Sequence, residues 1–402
     1  MHDFHAFEVA VAVLGGLLVV GALLSGVAKR SFLSLTALFV VAGFVLGEGG
    51  LEVLEFEAES GFVQALAVVA LILILFRDGL EVEAELLQAD WHLPLRKLVF
   101  AMPITAALVA VAAHAFTDLD WTESFLLGAL LSPTDPVLSS GVVTNPRVPR
   151  RIRHSLNLES GLNDGLALPA VLALLFSLDP DESDFTWWAF VVQDLAVGLA
   201  AGALVGFVGA RLMPARRALG TEINPHQKSM YGLGAAFAAY GVAVLPPEGN
   251  GLIAVFVCAI VLGILRPDIR EAFERRAEDI IEVVKLGVFV VFGALLTADG
   301  LFDDGLAAVG IVVVTLFVAR PAAVHLSLAG TDTSAADRWF MSWFGPKGVA
   351  TMTFGLFVLG QGIEDGGAIF NIAALTVFAS IVLHGTTDTA GVSWIERRSR
   401  SS

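Results

Sequence analysis

The chain has 402 residues, 56% hydrophobic and 16% charged, with a mean hydropathy of +0.77. Soluble domains carry about a quarter charged residues, so the composition excludes a soluble globular protein and points to a polytopic membrane protein. The net charge is -16, with acids mainly in outer loops and basic inner loops that suit an anionic leaflet, so no nucleic-acid partner is expected. The one cysteine, Cys258 in an apolar run, excludes a disulfide framework or a cysteine metal cluster.

The first segment, "MHDFHAFEVAVAVLGGLLVVGALLSG", has no basic leader and no cleavage site, so it reads as a first helix that stays. Scanning onward for apolar runs long enough to span gives thirteen candidates. They lie at 7-28, 32-47, 61-76, 97-116, 122-143, 154-178, 186-212, 229-245, 250-265, 280-298, 303-328, 338-360 and 367-386. Basic residues concentrate in cytoplasmic loops, and 21 of the 24 Lys and Arg fall in alternate loops or at the C-terminus, among them Lys29, Arg30, Arg77, Arg96, Lys97 and the run Arg147 to Arg153. The other loops carry acids such as Glu48, Asp118, Asp181 and Asp299. The expected topology is an N-terminus outside, thirteen spans and a cytoplasmic C-terminus, with no soluble regulatory domain. The bilayer is then the main partner.

The three remaining bases, Lys285, Arg320 and Lys347, lie inside spans, where a charge is costly and usually faces the bundle interior. Lys285 follows Glu282 by three residues and reads as an interfacial pair. Arg320 and Lys347 have no such simple reading.

Span 5 contains "SPTDPV", whose two prolines unwind a helix. Span 12 contains "WFGPKGVATM", where Gly345, Pro346 and Gly348 act likewise. Either break alone is compatible with a plain proline kink. Together, in triplets 4 to 6 and 11 to 13 that run in opposite directions, they suggest an inverted repeat and a transporter binding site. In span 7, Gly198, Gly202 and Gly206 form a small-residue face for close helix packing.

Span 6 opens "RHSLNLESGLNDGLALPAVLALLF". Ser160, Asn163 and Asp164 share one helical face, with Glu159 one position round the wheel. Carboxylate, carboxamide and hydroxyl make a hard oxygen site suited to a monovalent cation. Asp164, Asp135, Ser160 and Thr134 are the candidate metal ligands, and carbonyls freed in span 5 add to them. Burial and a second carboxyl nearby both favour the protonated form of such a group, so protons would compete with the cation. Glu159 needs a countercharge, and Arg320 is the natural one. Lys347 would offset a half-helix end or the charge of Asp135. Asn163 and Ser160 also have bland readings as packing or helix-bridging residues, and His114, His325 and His384 read as structural.

"SPTDPV" followed by "ESGLNDG" resembles the monovalent cation/proton antiporters of the NhaP and NHE type, over nearly the whole chain. The resemblance implies an all-α fold of thirteen helices, with inverted repeats and two broken crossing helices. In it a single membrane domain, 1-402, divides into an ion-binding core (97-178 and 303-386) and a dimerising scaffold (7-76 and 186-298). It implies a homodimer with no cofactor, not an enzyme. Thr134, Asp135, Asn163 and Asp164 match the family's Thr-Asp and Asn-Asp motifs. Asp164 would be the carrier, Ser160 a further ligand, and Glu159 with Arg320 a structural ion pair. The Asn-Asp form goes with electroneutral one-for-one exchange. Two departures stand out: "LFRDGL" replaces the family's "LFEGGL", leaving Asp78 near the cytoplasmic end, and "GPKG" replaces "GLRG", placing Lys347 where arginine is usual. The expected function is exchange of cytoplasmic Na+ (or Li+ or K+) for external protons. A K+-preferring exchanger is the alternative, with an intramembrane aspartyl protease or a channel more remote.

Overall fold

A bilayer core offers the backbone no water, so a spanning segment must satisfy its own N–H and C=O groups, and long apolar runs fold as helices. The computed structural model describes residues 11–19, 35–86, 91–135, 140–178, 186–213 and 223–399, and every regular element among them is helical.

The first helices in chain order are α1 (11–19), α2 (Leu35–Leu46), α3 (Gly61–Leu86), α4 (His92–Phe116), α5 (Trp121–Leu130) and α6 (Ser140–Val143). Next come α7 (Arg150–Ser177), α8 (Trp187–Leu212), α9 (Pro225–Ala243), α10 (Gly251–Leu265), α11 (Pro267–Arg276) and α12 (Glu278–Ala294). The last are α13 (Ala298–Phe302), α14 (Gly305–Ser327), α15 (Ala335–Trp343), α16 (Val349–Leu359) and α17 (Gly366–Ser399). Six of the described helices are long and apolar enough to cross a membrane: α3, α4, α7, α8, α14 and α17. A seventh counts if α10 and α11, bent by 117° at Arg266, form one span.

The sequence-based spans lie on these helices with shifted ends. The third extends to Leu86 and the last to Ser399. Residues 267–276, read as a loop, form the polar helix α11, because Pro267 starts a new helix and Arg275 and Arg276 suit its C-terminal end. Parts of the first two spans, and Lys29, Arg30, Asp181, Glu182, Arg216, Arg217 and Arg400, lie outside the described residues.

α3 is the central support of the bundle, packing on α7, α10 and α16. One apolar cluster joins it to α4, α5, α7 and α10 through residues such as Leu75, Val109, Leu130, Val171 and Val255. A second gathers α2, α12, α16 and α17 around Phe39, Phe289, Met352 and Phe370. α8 lies close along α10: a methyl at Gly198 or Gly206 would stand 2.8 Å from the carbonyl oxygen of Asn250 or Cys258. Such close backbone approach is what small residues permit between membrane helices. The outer face of α8 is mostly uncovered, since only 17% of its most apolar window is buried against 67% for α3.

Candidate functional site

Two helices stop in the middle of the bundle. α5 ends at Leu130 and α15 at Trp343, and the non-helical stretches 131–135 and 344–348 meet. The Asp135 N–H donates to the carbonyl of Pro346 at 2.8 Å, joining the two breaks directly. Pro136, the second proline of the first break, lies outside the described residues.

A helix end leaves orphan carbonyls with partial negative charge, and a helix start leaves orphan N–H groups with partial positive charge. Here each break serves the other's half-helix. Lys347 donates to the carbonyls of Ser132 (3.1 Å) and Pro133 (3.0 Å), and Thr351 donates to that of Leu130 (3.0 Å), all at the end of α5. Reciprocally, Asp135 Oδ2 accepts from the N–H of Val349, the first residue of α16, at 3.0 Å. Of the two partners weighed for Lys347, the half-helix end is the one its ammonium bonds. A hydroxyl also secures this break: Ser380 Oγ on α17 accepts from the Lys347 backbone N–H at 2.8 Å.

α7 passes alongside this crossing. Asn163 donates through Nδ2 to the Thr134 carbonyl (2.8 Å) and hydroxyl (3.0 Å), and the Thr134 hydroxyl lies 3.3 Å from that of Ser160. Thr134 and Asn163 are thus bonded behind the wall of a 360 Å³ cavity that Asp135, Ser160 and Asp164 line directly. Two buried oxygens in this group, Asn163 Oδ1 and Asp164 Oδ1, have no hydrogen-bond partner. Buried polar atoms are seldom left so. Asp78, Glu81, Arg77 and Lys285 face the same cavity, which reaches Glu278 at the start of α12. Asp78, expected near the end of its span, is instead buried, because α3 continues for two further turns beyond it. A larger cavity of 480 Å³, beside Arg151, Asp337 and Arg398, contains none of these groups. No cluster of three His, Cys, Asp or Glu among the described residues is placed to hold a metal ion, so a cation here would also need neutral oxygens. His384 has both ring nitrogens engaged, at 2.7 Å from the carbonyls of Ser380 and Trp343.

One position away on α7, Glu159 is enclosed by charge. Its Oε1 accepts from Arg320 at 3.0 Å and its Oε2 from Lys97 at 2.6 Å. The Arg320 guanidinium also donates to the carbonyls of Ser342 (3.1 Å) and Met341 (3.2 Å) near the end of α15, and Lys97 donates to that of Ser155 (3.0 Å). Gly345 makes room for this: a Cβ there would fall on the guanidinium. Lys97 begins, and Arg320 directly follows, a π-helical stretch, Lys97–Ala101 in α4 and Val314–Ala319 in α14. Such wide turns often occur at functional positions.

Lys97 corrects the sequence reading, which counted it among the loop charges. Helix α4 starts earlier, at His92, so Lys97 lies inside it and is wholly buried. A signal was present in the sequence. The chain uses far more Arg than Lys, with lysines only at 29, 97, 228, 285 and 347, and all four described ones are buried. Lys228 pairs with Asp268 at 2.8 Å and Lys285 with Glu282 at 2.9 Å. The carboxylates of those two pairs are half-exposed, whereas Lys97 and Lys347 are fully enclosed.

The family model described as sodium/hydrogen exchanger, transmembrane, matches residues 16–394. The K+/H+ antiporter NhaP of Alkalimonas amylolytica is 26% identical over 401 residues, covering 98% of this chain and 68% of the relative. The K+/H+ antiporter NhaP2 of Shewanella sp. (strain ANA-3) is 25% identical, covering 94% and 65%. The chain therefore spans about two thirds of the length of these relatives. Na+/H+ antiporter 1 of Methanocaldococcus jannaschii is 23% identical, covering 96% and 92%. Among solved structures, the sodium proton antiporter MjNhaP1 from the same archaeon at pH 8 superposes with a TM-score of 0.82 at 18% identity, covering 97% of this chain and 99% of that one. The shared fold is clear from that superposition.

Proposed function

The chain belongs to the transmembrane sodium/hydrogen exchanger family, and from that premise we propose that it exchanges a cytoplasmic monovalent cation for an external proton, without ATP. The observation that carries this reading is the Asp164 carboxylate: it lines a polar cavity beside the crossing of two interrupted helices, with one buried oxygen unpartnered. Deprotonated, it takes the cation together with oxygens from Asp135 and Ser160, which line the cavity beside it, and Thr134 and Asn163, bonded to each other just behind that wall, add their oxygens as the ion seats. Protonated, it has lost the charge that holds the cation. One carboxylate serving either cargo but never both gives one-for-one, electroneutral exchange. The cation and proton are the cargo, and no cofactor takes part.

The Glu159, Arg320 and Lys97 cluster acts structurally, holding α4, α7 and α14 together as the ion-carrying bundle moves. In this reading the core comprises 97-178 and 303-386, and the scaffold 7-76 and 186-298. The thirteen-span topology, N-terminus outside and C-terminus cytoplasmic, is supported by the distribution of Lys and Arg. The uncovered apolar face of α8 supports a scaffold that pairs in a homodimer.

The cation is Na+ in the first reading and K+ in the second, which the names of the Alkalimonas and Shewanella relatives favour. Proteoliposomes with an imposed pH gradient separate them, with Na+, K+ or Li+ added in turn. Dissipation by Na+ and Li+ supports the first reading, and dissipation by K+ alone the second. If no cation dissipates the gradient, antiport fails. A marked rate change on clamping the voltage at zero would count against electroneutral exchange.

A further inference from the structure

The cavity that reaches Asp164 already contains a cation belonging to the protein. Arg77, on α3, lines it together with Asp135 and Asp164. Its guanidinium bonds Asp78 Oδ1 through Nε at 2.9 Å and lies 2.7 Å from the same oxygen through Nη2. Among the described residues its other donors have no hydrogen-bond partner. Adjacent residues on a helix do not face each other, so this bond draws the Arg77 side chain around α3 toward Asp78. The Arg77 side chain retains 22% of its exposure, whereas that of Asp78 retains 4%. Asp78 Oδ2 is buried without a partner.

We propose that Arg77 is a tethered competitor of the transported cation, and that Asp78 is the positioning residue that holds its guanidinium off the ion site. The proposal rests on the antiport reading above. A guanidinium keeps its charge at any physiological pH. A charged group fixed in a small cavity also acts at a high effective concentration toward the carboxylates it shares that space with. While Asp78 holds it, Arg77 repels incoming cations moderately. Released, it pairs with Asp135 or Asp164 and occupies the position that cargo needs. The device sets cation affinity on the side where Arg77 stands, leaving the carrier itself unaltered.

The test measures exchange in proteoliposomes at fixed pH over a range of Na+ and K+ concentrations. It compares wild type with Arg77→Gln, Asp78→Asn, the double variant and Asp164→Asn. Arg77→Gln should lower the cation KM on the order of tenfold, as loss of one unit charge acting across about 12 Å at an effective dielectric near 20 would give, and change KM more than Vmax. Asp78→Asn should raise KM and slow exchange, and adding Arg77→Gln to it should bring KM back to the wild-type value or below. Equal impairment of Asp78→Asn and the double variant would overturn the proposal, because Asp78 would then be needed for itself. An unchanged KM in Arg77→Gln would overturn it too, and decides the matter alone if Asp78→Asn does not fold. Absence of exchange in wild type, or its persistence in Asp164→Asn, would instead overturn the antiport reading and this inference with it. Wild-type exchange that Asp164→Asn abolishes, with no movement across the Arg77 and Asp78 series, would overturn this inference alone.

Discussion

Glu159 and Asp164 are little more than one turn apart on α7, yet their surroundings are built on opposite rules. Both oxygens of Glu159 are engaged, by Arg320 and Lys97, and those cations bond nearby carbonyls as well. Around Asp164 the reverse holds: its Oδ1, Asn163 Oδ1 and Asp78 Oδ2 are all buried and unpartnered. Taking charges out of water is tolerable only when partners replace the water, and the Glu159 carboxylate is completed by protein side chains alone. The Asp164 region is left for a ligand to complete. Substitutions should therefore damage folding in the first region and transport in the second.

The largest effect on stability belongs to Glu159→Ala, which leaves Lys97 and Arg320 buried side by side. Breaking a buried pair costs about 3–5 kcal/mol, and thermal unfolding in detergent should show that loss. Removing Arg320 as well should restore part of it, whereas additive losses would contradict a coupled cluster. Next is Gly345→Ala, whose methyl would meet the Arg320 guanidinium. Overpacking of this kind costs about 1–3 kcal/mol, and the same assay would contradict the contact if stability were unchanged. By contrast, Asp164→Asn should abolish exchange while moving stability by less than about 1 kcal/mol, since its Oδ1 makes no hydrogen bond that could be lost.

The smallest effect should come from the surface helix α11. There the hydrogen bonds from Arg266, with Lys228 adding to them, hold the Asp268 carboxyl below its ordinary range. A group depressed in the folded state stabilises above its unfolded pKa, and that contribution is lost as pH falls toward the folded value. Asp268→Asn should thus lower stability slightly at neutral pH, by less than about 1 kcal/mol because the group is half-exposed. It should also flatten the decline on the acid side. A variant with an unaltered acid limb would contradict the pairing.

The two regions also differed in how much of them the sequence made visible. Thr134, Asp135, Ser160, Asn163 and Asp164 lie in two short motifs, and helical periodicity alone put three of them on one face. Arg320 and Lys347 drew notice as charges inside apolar runs. Lys97 did not, because "LRKLVF" reads equally well as a loop end, and only the earlier start of α4 takes it inside. Asp78 was missed as a cavity residue for the same reason, α3 being longer than its apolar run. Composition made the helical class legible. The reciprocal bonding of the two breaks, Lys347 to one half-helix and Asp135 to the other, depends on contacts more than 200 residues apart in the chain, which no local pattern encodes.

The central claim is that a proton and a cation compete for the oxygens of Asp164. It is tested most directly by adding Na+ or K+ to the detergent-solubilised protein in weakly buffered solution and measuring proton release. Wild type should release protons as the cation binds, with apparent affinity weakening as pH falls, and Asp164→Asn should release none. Cation binding without proton release, or release that persists in Asp164→Asn, would contradict the account.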